Sequence, residues 1–345
     1  MPITLSVLID TYNHEKYIAA AINSVLQQRH LSDVLLDVVV VDDGSTDNTG
    51  EIVKSFGGEV RYYRKDNGGQ ASAFNYGIPL CWGEIICFLD GDDWWHPDKI
   101  CMVLAAFLNN ADLCAVGHSF IEVDEVGGSR FTNGPTAPIY LTFSTPKSVS
   151  LFHKYACCLG TSRLAIRHSA ALSLLEVPTD LVFEADEYMF TLLPTLGEVV
   201  ILPDILTYYR IHGANLFQDS RTAFLNHIND ARTLKRASVY RCLSRDLPVE
   251  LRRRGCDSSL IEPLMRPVHV QASRLKLIAH GGTRLENFKS EWRAAELFDR
   301  STAKSRIILG VSLLLTLICS PRLYFRMRDA YANWLRRRAG SGCLN

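Results

Sequence analysis

The chain has 345 residues, 47% hydrophobic and 21% charged, which suits one large globular domain with an appendage, or two domains. Lysine plus arginine and aspartate plus glutamate balance at 37 each, so no overall positive field points to nucleic acid as a partner. The ten cysteines are scattered, with one adjacent pair at Cys157 and Cys158 and no C-x-x-C, which argues against a zinc site or disulfide framework and for reduced thiols in the cytoplasm.

Ile3 to Ile9 reads as a first, buried strand; the opening MPITLSVLID lacks the basic n-region and small-residue cleavage site of a secretory leader. Apolar residues at helical spacing (Tyr17, Ala21, Ile22, Val25, Leu26) predict a helix from about Glu15 to Gln28. Leu35 to Val41 is a continuous apolar run, the pattern of a strand buried on both faces of a parallel sheet. It ends in DDGSTDNT, where Ser45 or Asp47 can cap a helix from Thr49 to Ser55. A third strand near Val60 to Tyr63 leads through KDNGGQASAFNYGI into another helix, and Ile85 to Leu89 forms the fourth strand. Four alternations in the first hundred residues predict an α/β fold with a mostly parallel sheet flanked by helices.

Ligands of such sheets bind outside the carboxyl ends of the strands. Every chemistry-bearing stretch here falls there: Asp10 to Asn13, Asp42 to Ser45, Asn67 to Gln70, and the acids Asp90, Asp92 and Asp93. Side-chain alternation puts Asp90 and Asp92 on one side, where their oxygens suit a hard divalent cation that in turn holds phosphate. A lone D-x-D is more often a solvated turn; the three polar strand ends upstream reverse that reading. There is no GxGxxG after the first strand and no GxxxxGK[ST] anywhere, against a dinucleotide dehydrogenase or a P-loop enzyme.

After Asp112 the pattern loosens. Phe120 to Tyr140 is turn-rich and reads as a mixed hairpin at the sheet edge, followed by a strand near Ser162 to Arg167. Acids then head a helical stretch in FEADEYMF, and strands lead to the turn HGAN. From Arg221 the chain reads as helical and mixed in charge, giving expected domains at 1–220 and 221–345. Ile307 to Cys319 is an apolar run flanked by Lys304, Arg306, Arg322, Arg326 and Arg328, with Arg336, Arg337 and Arg338 beyond. Thirteen residues fall short of the ~20 a bilayer span needs. The run is either a buried helix or one lying in a membrane interface, with Tyr324, Tyr331 and Trp334 at headgroup level.

The stretches SVLIDTYNHEKYIAAAINSVLQQ, VVVVDDGSTDNT, KDNGGQASAFNYGI and FLDGDDWWHPDKI, in this order and spacing, resemble family 2 glycosyltransferases of the GT-A nucleotide-sugar-binding fold. The resemblance covers Leu5 to about Asn215. It implies an inverting transferase that moves a sugar from a nucleotide diphosphate donor, most often a UDP-sugar, to a hydroxyl of a polysaccharide or lipid-linked glycan, assisted by Mg²⁺ or Mn²⁺. Asp10 and Tyr12 match positions flanking the uracil ring, although the family usually has Pro or Thr at position 10. Asp43 matches the residue binding the uracil edge, with Asp42 as a partner. Asn67, Gly68 and Gly69 precede a helix, where backbone N–H groups reach phosphate or ribose.

Asp90 and Asp92 match the family's D-x-D: Asp92 binds the metal, and Asp90 the ribose or a metal-bound water. Asp93 holds the loop, and Trp94 and Trp95 serve as sugar platform or core. Asp186 aligns with the catalytic base, but Ala185 stands where the family has Glu, which leaves Glu184 and Glu187 as competitors. His212 completes the metal or diphosphate site. The competing classes are a catalytically idle nucleotide-sugar-binding subunit of an envelope polysaccharide assembly complex, which has no need of four intact acids, and a nucleotidyltransferase, which lacks its phosphate loop here. The expected location is cytoplasmic, peripheral to the membrane's cytoplasmic face if the C-terminal helix sits on lipid.

Overall fold

The computed structural model describes residues 2–131, 134–213, 231–295 and 303–340. The chain divides into two compact units, Met1–His212 with Val249–Pro263, and Gly213–Pro248 with Leu264–Asn345. The domain boundary expected near 220 and the end of the HGAN turn lie outside the described residues.

The first unit opens with β1 (Ile3–Thr11), α1 (Ile18–Leu26), β2 (Val34–Asp42), α2 (Thr49–Lys54), β3 (Arg61–Arg64), α3 (Gln70–Gly77), β4 (Ile85–Asp90) and the short β5 (Trp94–Trp95). It continues with α4 (Lys99–Asn109), β6 (Leu113–Asp124), β7 (Ser129–Phe131), β8 (Ile139–Leu141), α5 (Pro146–Tyr155), β9 (Ala165–Arg167), α6 (His168–Ser173), α7 (Ala185–Leu192) and β10 (Glu198–Ile211). The sheet runs β3-β2-β1-β4-β9-β6-β10-β5, with β7 on β6 and β8 on β10. Its long ladders, β3 through β4 and β6 with β10, are parallel; β9 enters antiparallel between β4 and β6.

Both faces are covered, which explains the unbroken apolar runs. Leu5, Val7 and Ile9 of β1, with Val38 and Val40 of β2 and Cys87 and Leu89 of β4, pack against α1 and α4 through Ile22, Val25, Val103 and Phe107. On the other face Phe88 meets Phe74 of α3 edge-on, centroids 5.4 Å apart. The first helix is shorter than its periodicity predicts: Tyr17 precedes its first turn, and the Thr49 hydroxyl holds the His14 amide outside it. The hairpin expected at the edge is instead anchored by β6, an interior strand of twelve residues, whose end alone carries β7. Eight successive buried residues of β6 fill that interior position, a burial on both faces that no alternation pattern reveals.

The second unit is helical. The described helices past β10 are α8 (Ala231–Arg253), α9 (Ser258–His280), α10 (Arg284–Ala294), α11 (Ala303–Ile318) and α12 (Pro321–Gly340), and the ends of α8 and α9 over 249–263 belong to the first unit. Thr283 and Glu286 close a reciprocal capping box at the start of α10.

Candidate active site

Parallel register sets the site. Asp10 pairs with Asp90 across β1 and β4, so two carboxylates leave adjacent strand ends about 4.8 Å apart. Asp92 follows in the turn, where Gly91 donates its N–H to the Asp10 carbonyl at 2.9 Å. A Cβ on Gly91 would stand 2.6 Å from the Thr11 hydroxyl and 2.8 Å from His14 Nδ1, so only glycine admits that approach.

The strands thus press charge onto charge. Burial, then the charges of Asp92 and Asp186, raises the Asp10 pKa well above the carboxylate range, and its buried Oδ1 has no hydrogen-bond partner. Burial and the Asp10 charge raise Asp90 likewise. Asp92 goes the other way: burial is the largest influence and opposes ionisation, but the 2.9 Å contact with His212 Nε2, the nearby His14 and a backbone hydrogen bond together hold the carboxyl below its usual value. His14 Nε2 lies 3.8 Å from the same Asp92 oxygen, and burial lowers its pKa, favouring the neutral ring. Asp93 is fully buried and pushed up to about 7 by burial and the Asp92 charge, while its Oδ1 accepts the Arg210 amide at 2.8 Å.

Behind Asp90 lies a hub that no motif or local period marks. The Ser162 hydroxyl donates to Asp90 Oδ2 at 3.0 Å and accepts the Asp90 amide at 3.1 Å. The Ser162 carbonyl accepts Lys99 Nζ (2.7 Å), Trp95 Nε1 (3.1 Å) and the Thr207 hydroxyl (2.7 Å). Burial brings the Lys99 ammonium down to about 7, and its nitrogen also sits 3.7 Å from the Trp95 ring centroid. Trp95 is therefore core. Trp94 is half-buried, stacked on Tyr208 with centroids 5.2 Å apart, and Arg210 Cζ lies 4.3 Å from its ring centroid. Arg210 also donates to the Asp92 carbonyl at 2.8 Å, which ties the acidic turn to β10.

The remaining sequence-predicted residues fall into three groups. Tyr12 is exposed at the end of β1, its ring open to a ligand. Asp43 is engaged: it accepts Lys65 Nζ at 2.6 Å and the backbone N–H groups of Gly68 (3.0 Å) and Gly69 (2.6 Å). The Gly68 and Gly69 amides, expected at phosphate or ribose, thus point at Asp43, and Asp42 accepts the Ser45 amide and the Tyr62 hydroxyl. Gly69 has φ +80° and packs where a Cβ would meet Val182 Cα at 2.4 Å, which seats α3 against the loop carrying the candidate bases.

At the start of α7, Asp186 accepts the Thr161 amide (3.0 Å), the Thr161 hydroxyl (3.1 Å) and the Glu187 amide (2.9 Å). Its charge reaches both Asp10 and Asp90. Glu184 is buried in a left-handed conformation, φ 59°, just before the helix. Gln70 spans these elements, accepting the Ala185 amide and donating to Thr161. Among the described residues no three His, Cys, Asp or Glu side chains form a complete cation cage. Asp92 Oδ2 and His212 Nε2 lie together as an oxygen–nitrogen pair.

A doubly covered α/β sheet with acids massed at the carboxyl ends of β1 and β4 puts a polar ligand site outside those strand ends. The glycosyl transferase family 2 profile matches residues 6–171. An uncharacterized glycosyltransferase of Nostoc sp. is 34% identical over 228 residues, 64% of this chain and 68% of that protein. The chain belongs to glycosyltransferase family 2. The chondroitin synthase of Pasteurella multocida is 31% identical over 244 residues, 68% of this chain but only 24% of that enzyme.

Two solved structures share the GT-A fold. S. aureus TarS 1-349 in complex with UDP-GlcNAc gives a TM-score of 0.51 at 17% identity, covering 90% of each chain. The mannosyltransferase PcManGT of Pyrobaculum calidifontis in complex with GDP-Man and Mn²⁺ gives 0.53 at 16% identity, covering 96% of this chain and 85% of that one.

Proposed function

We propose that this glycosyltransferase moves a sugar from a UDP-sugar to a hydroxyl of a polysaccharide or lipid-linked glycan, with inversion at the anomeric carbon. The observation that carries the reading is the convergence of Asp10, Asp90, Asp92 and Asp186 beside His212. Enclosed carboxylates that repel one another, one with an unpartnered buried oxygen, suit a site completed by a cation and its diphosphate. The UDP-GlcNAc and GDP-Man complexes of the two structural neighbours support a nucleotide-sugar donor, and the Mn²⁺ of the second supports a divalent ion.

In this reading Asp92 and His212 would hold Mg²⁺ or Mn²⁺. When bound, the ion neutralises charge developing on the departing diphosphate. Asp90, fixed by Ser162, receives the ribose, and Tyr12 stacks on the base with Asp10 beside it. Asp43 orders the Asn67–Gly69 turn and presents the base edge through that framework. Asp186 takes the proton of the acceptor hydroxyl as it attacks from the face opposite the diphosphate. Its three hydrogen bonds fix its position.

The test is a calorimetric titration with UDP, GDP and TDP, each with and without Mn²⁺. A UDP signal that needs metal and disappears in Asp92→Asn supports the donor site; a preference for GDP or TDP moves the donor class; no binding by any of the three overturns the reading.

A further inference from the structure

The C-terminal pair α11 and α12 is built inside out. Side chains of a helix advance 100° per residue, so Ile307, Ile308, Val311, Leu314, Leu317 and Ile318 spread over an arc of about 180°. That arc faces outward: Ile307 is 66% exposed, Val311 52%, Leu314 57% and Ile318 59%. The inward face carries the hydroxyls. Thr316 is fully buried, and the Ser312 hydroxyl lies 2.6 Å from that of Tyr324, which donates to Glu291 at 2.8 Å. Leu315 and Cys319 complete the inner contact, against Leu277, Ile278, Tyr324 and Phe325. On α12, Leu323, Met327 and Tyr331 recur at every fourth position and are also exposed, with the exposed Arg322 and Arg326 on their flank.

A helix that turns its aliphatic arc to solvent while burying hydroxyls leaves apolar surface to be covered by something else. Charge decides what. Between residues 303 and 340 the sequence holds eight lysines and arginines against one acid, Asp329, although lysine plus arginine and aspartate plus glutamate balance at 37 each over the whole chain. Two copies meeting on this face would bring like charge onto like charge. An anionic leaflet meets both needs at once: acyl chains take the aliphatic arc, and headgroup phosphates take the arginines. At about 24 Å, α11 is too short to cross the ~30 Å hydrocarbon layer, and no described helix is long and apolar enough to do so.

We infer that the outward faces of α11 and α12 form a docking surface for an anionic phospholipid bilayer, with α11 lying in the plane of the interface. Tyr331 sits where an amphipathic ring meets headgroups, and the arginines of α12 set the preference for negative lipid. The surface is independent of the transferase reading and is measured without donor or acceptor.

The test is flotation of the full chain with vesicles of pure phosphatidylcholine and of phosphatidylcholine mixed with phosphatidylglycerol. Wild type is expected to float with the mixed vesicles at least about tenfold more tightly than with the neutral ones, and to detach as salt rises. Val311→Glu/Leu314→Glu should weaken flotation by about tenfold or more, and Arg322→Ser/Arg326→Ser by roughly fivefold per arginine. Thermal midpoint and UDP titration should not move in either variant, which separates a lost surface from a lost fold. Equal flotation of wild type and Val311→Glu/Leu314→Glu overturns the inference, as does equal binding to neutral and anionic vesicles. A dimer in sedimentation velocity that Val311→Glu/Leu314→Glu dissolves, without vesicle binding, assigns the face to a second copy and overturns it too.

Discussion

The carboxyl end of the sheet and the α11–α12 pair break the inside–outside rule in opposite directions. One encloses carboxylates that would be cheaper in water; the other exposes aliphatic side chains that would be cheaper inside. Each violation is local, and each is backed by ordinary packing: Leu5, Val7 and Ile9 beneath the acids, Tyr324 and Phe325 beneath α11. Cost without compensation inside the molecule points to a ligand outside it, a cation with diphosphate in one case and lipid in the other.

The comparison breaks most sharply at Asp92. Asp92→Asn should lower kcat by more than ~10³-fold and remove the metal dependence of UDP binding, while vesicle flotation stays at the wild-type level. Asp186→Asn should cost ~10²–10⁴ in kcat and leave UDP affinity within about twofold; a wild-type rate would move the role to Glu187 or Glu184. Ser162→Ala removes the hydroxyl from Asp90 but keeps the carbonyl hub, so a roughly tenfold loss in kcat with ~1 kcal/mol of stability is expected.

The smallest effect tests the enclosed charge. The native pKa of Asp10 is raised, so between the ordinary carboxylate value and that raised value the folded protein binds more protons than the unfolded chain. Stability therefore falls as pH climbs through that window. Asp10→Asn should flatten the decline, raising the melting temperature by about 2–4 °C at pH 8 and by less near pH 4 in metal-free buffer. A variant that melts lower at pH 8 would show that the Asp10 carboxylate is compensated.

The sequence by itself determined the class of this protein. Period-two and period-3.6 patterns report burial of short segments, and a parallel strand's end is visible wherever an apolar run stops at an acid. Asp10, Asp43, Asp90 and Asp92 were legible for that reason, and Asp186 and His212 through motif resemblance. Tertiary structure alone brought Ser162 to Asp90, 72 residues away, and Arg210 to Asp92, 118 away. It also set His14 beside Asp92, spent the Gly68 and Gly69 amides on Asp43, and separated Trp95 as core from Trp94 as wall. These contacts depend on strand order and on the antiparallel entry of β9, which no local period encodes. The same limit held at α11: hydropathy marks a run as apolar, and only packing decides which of its faces is turned to water.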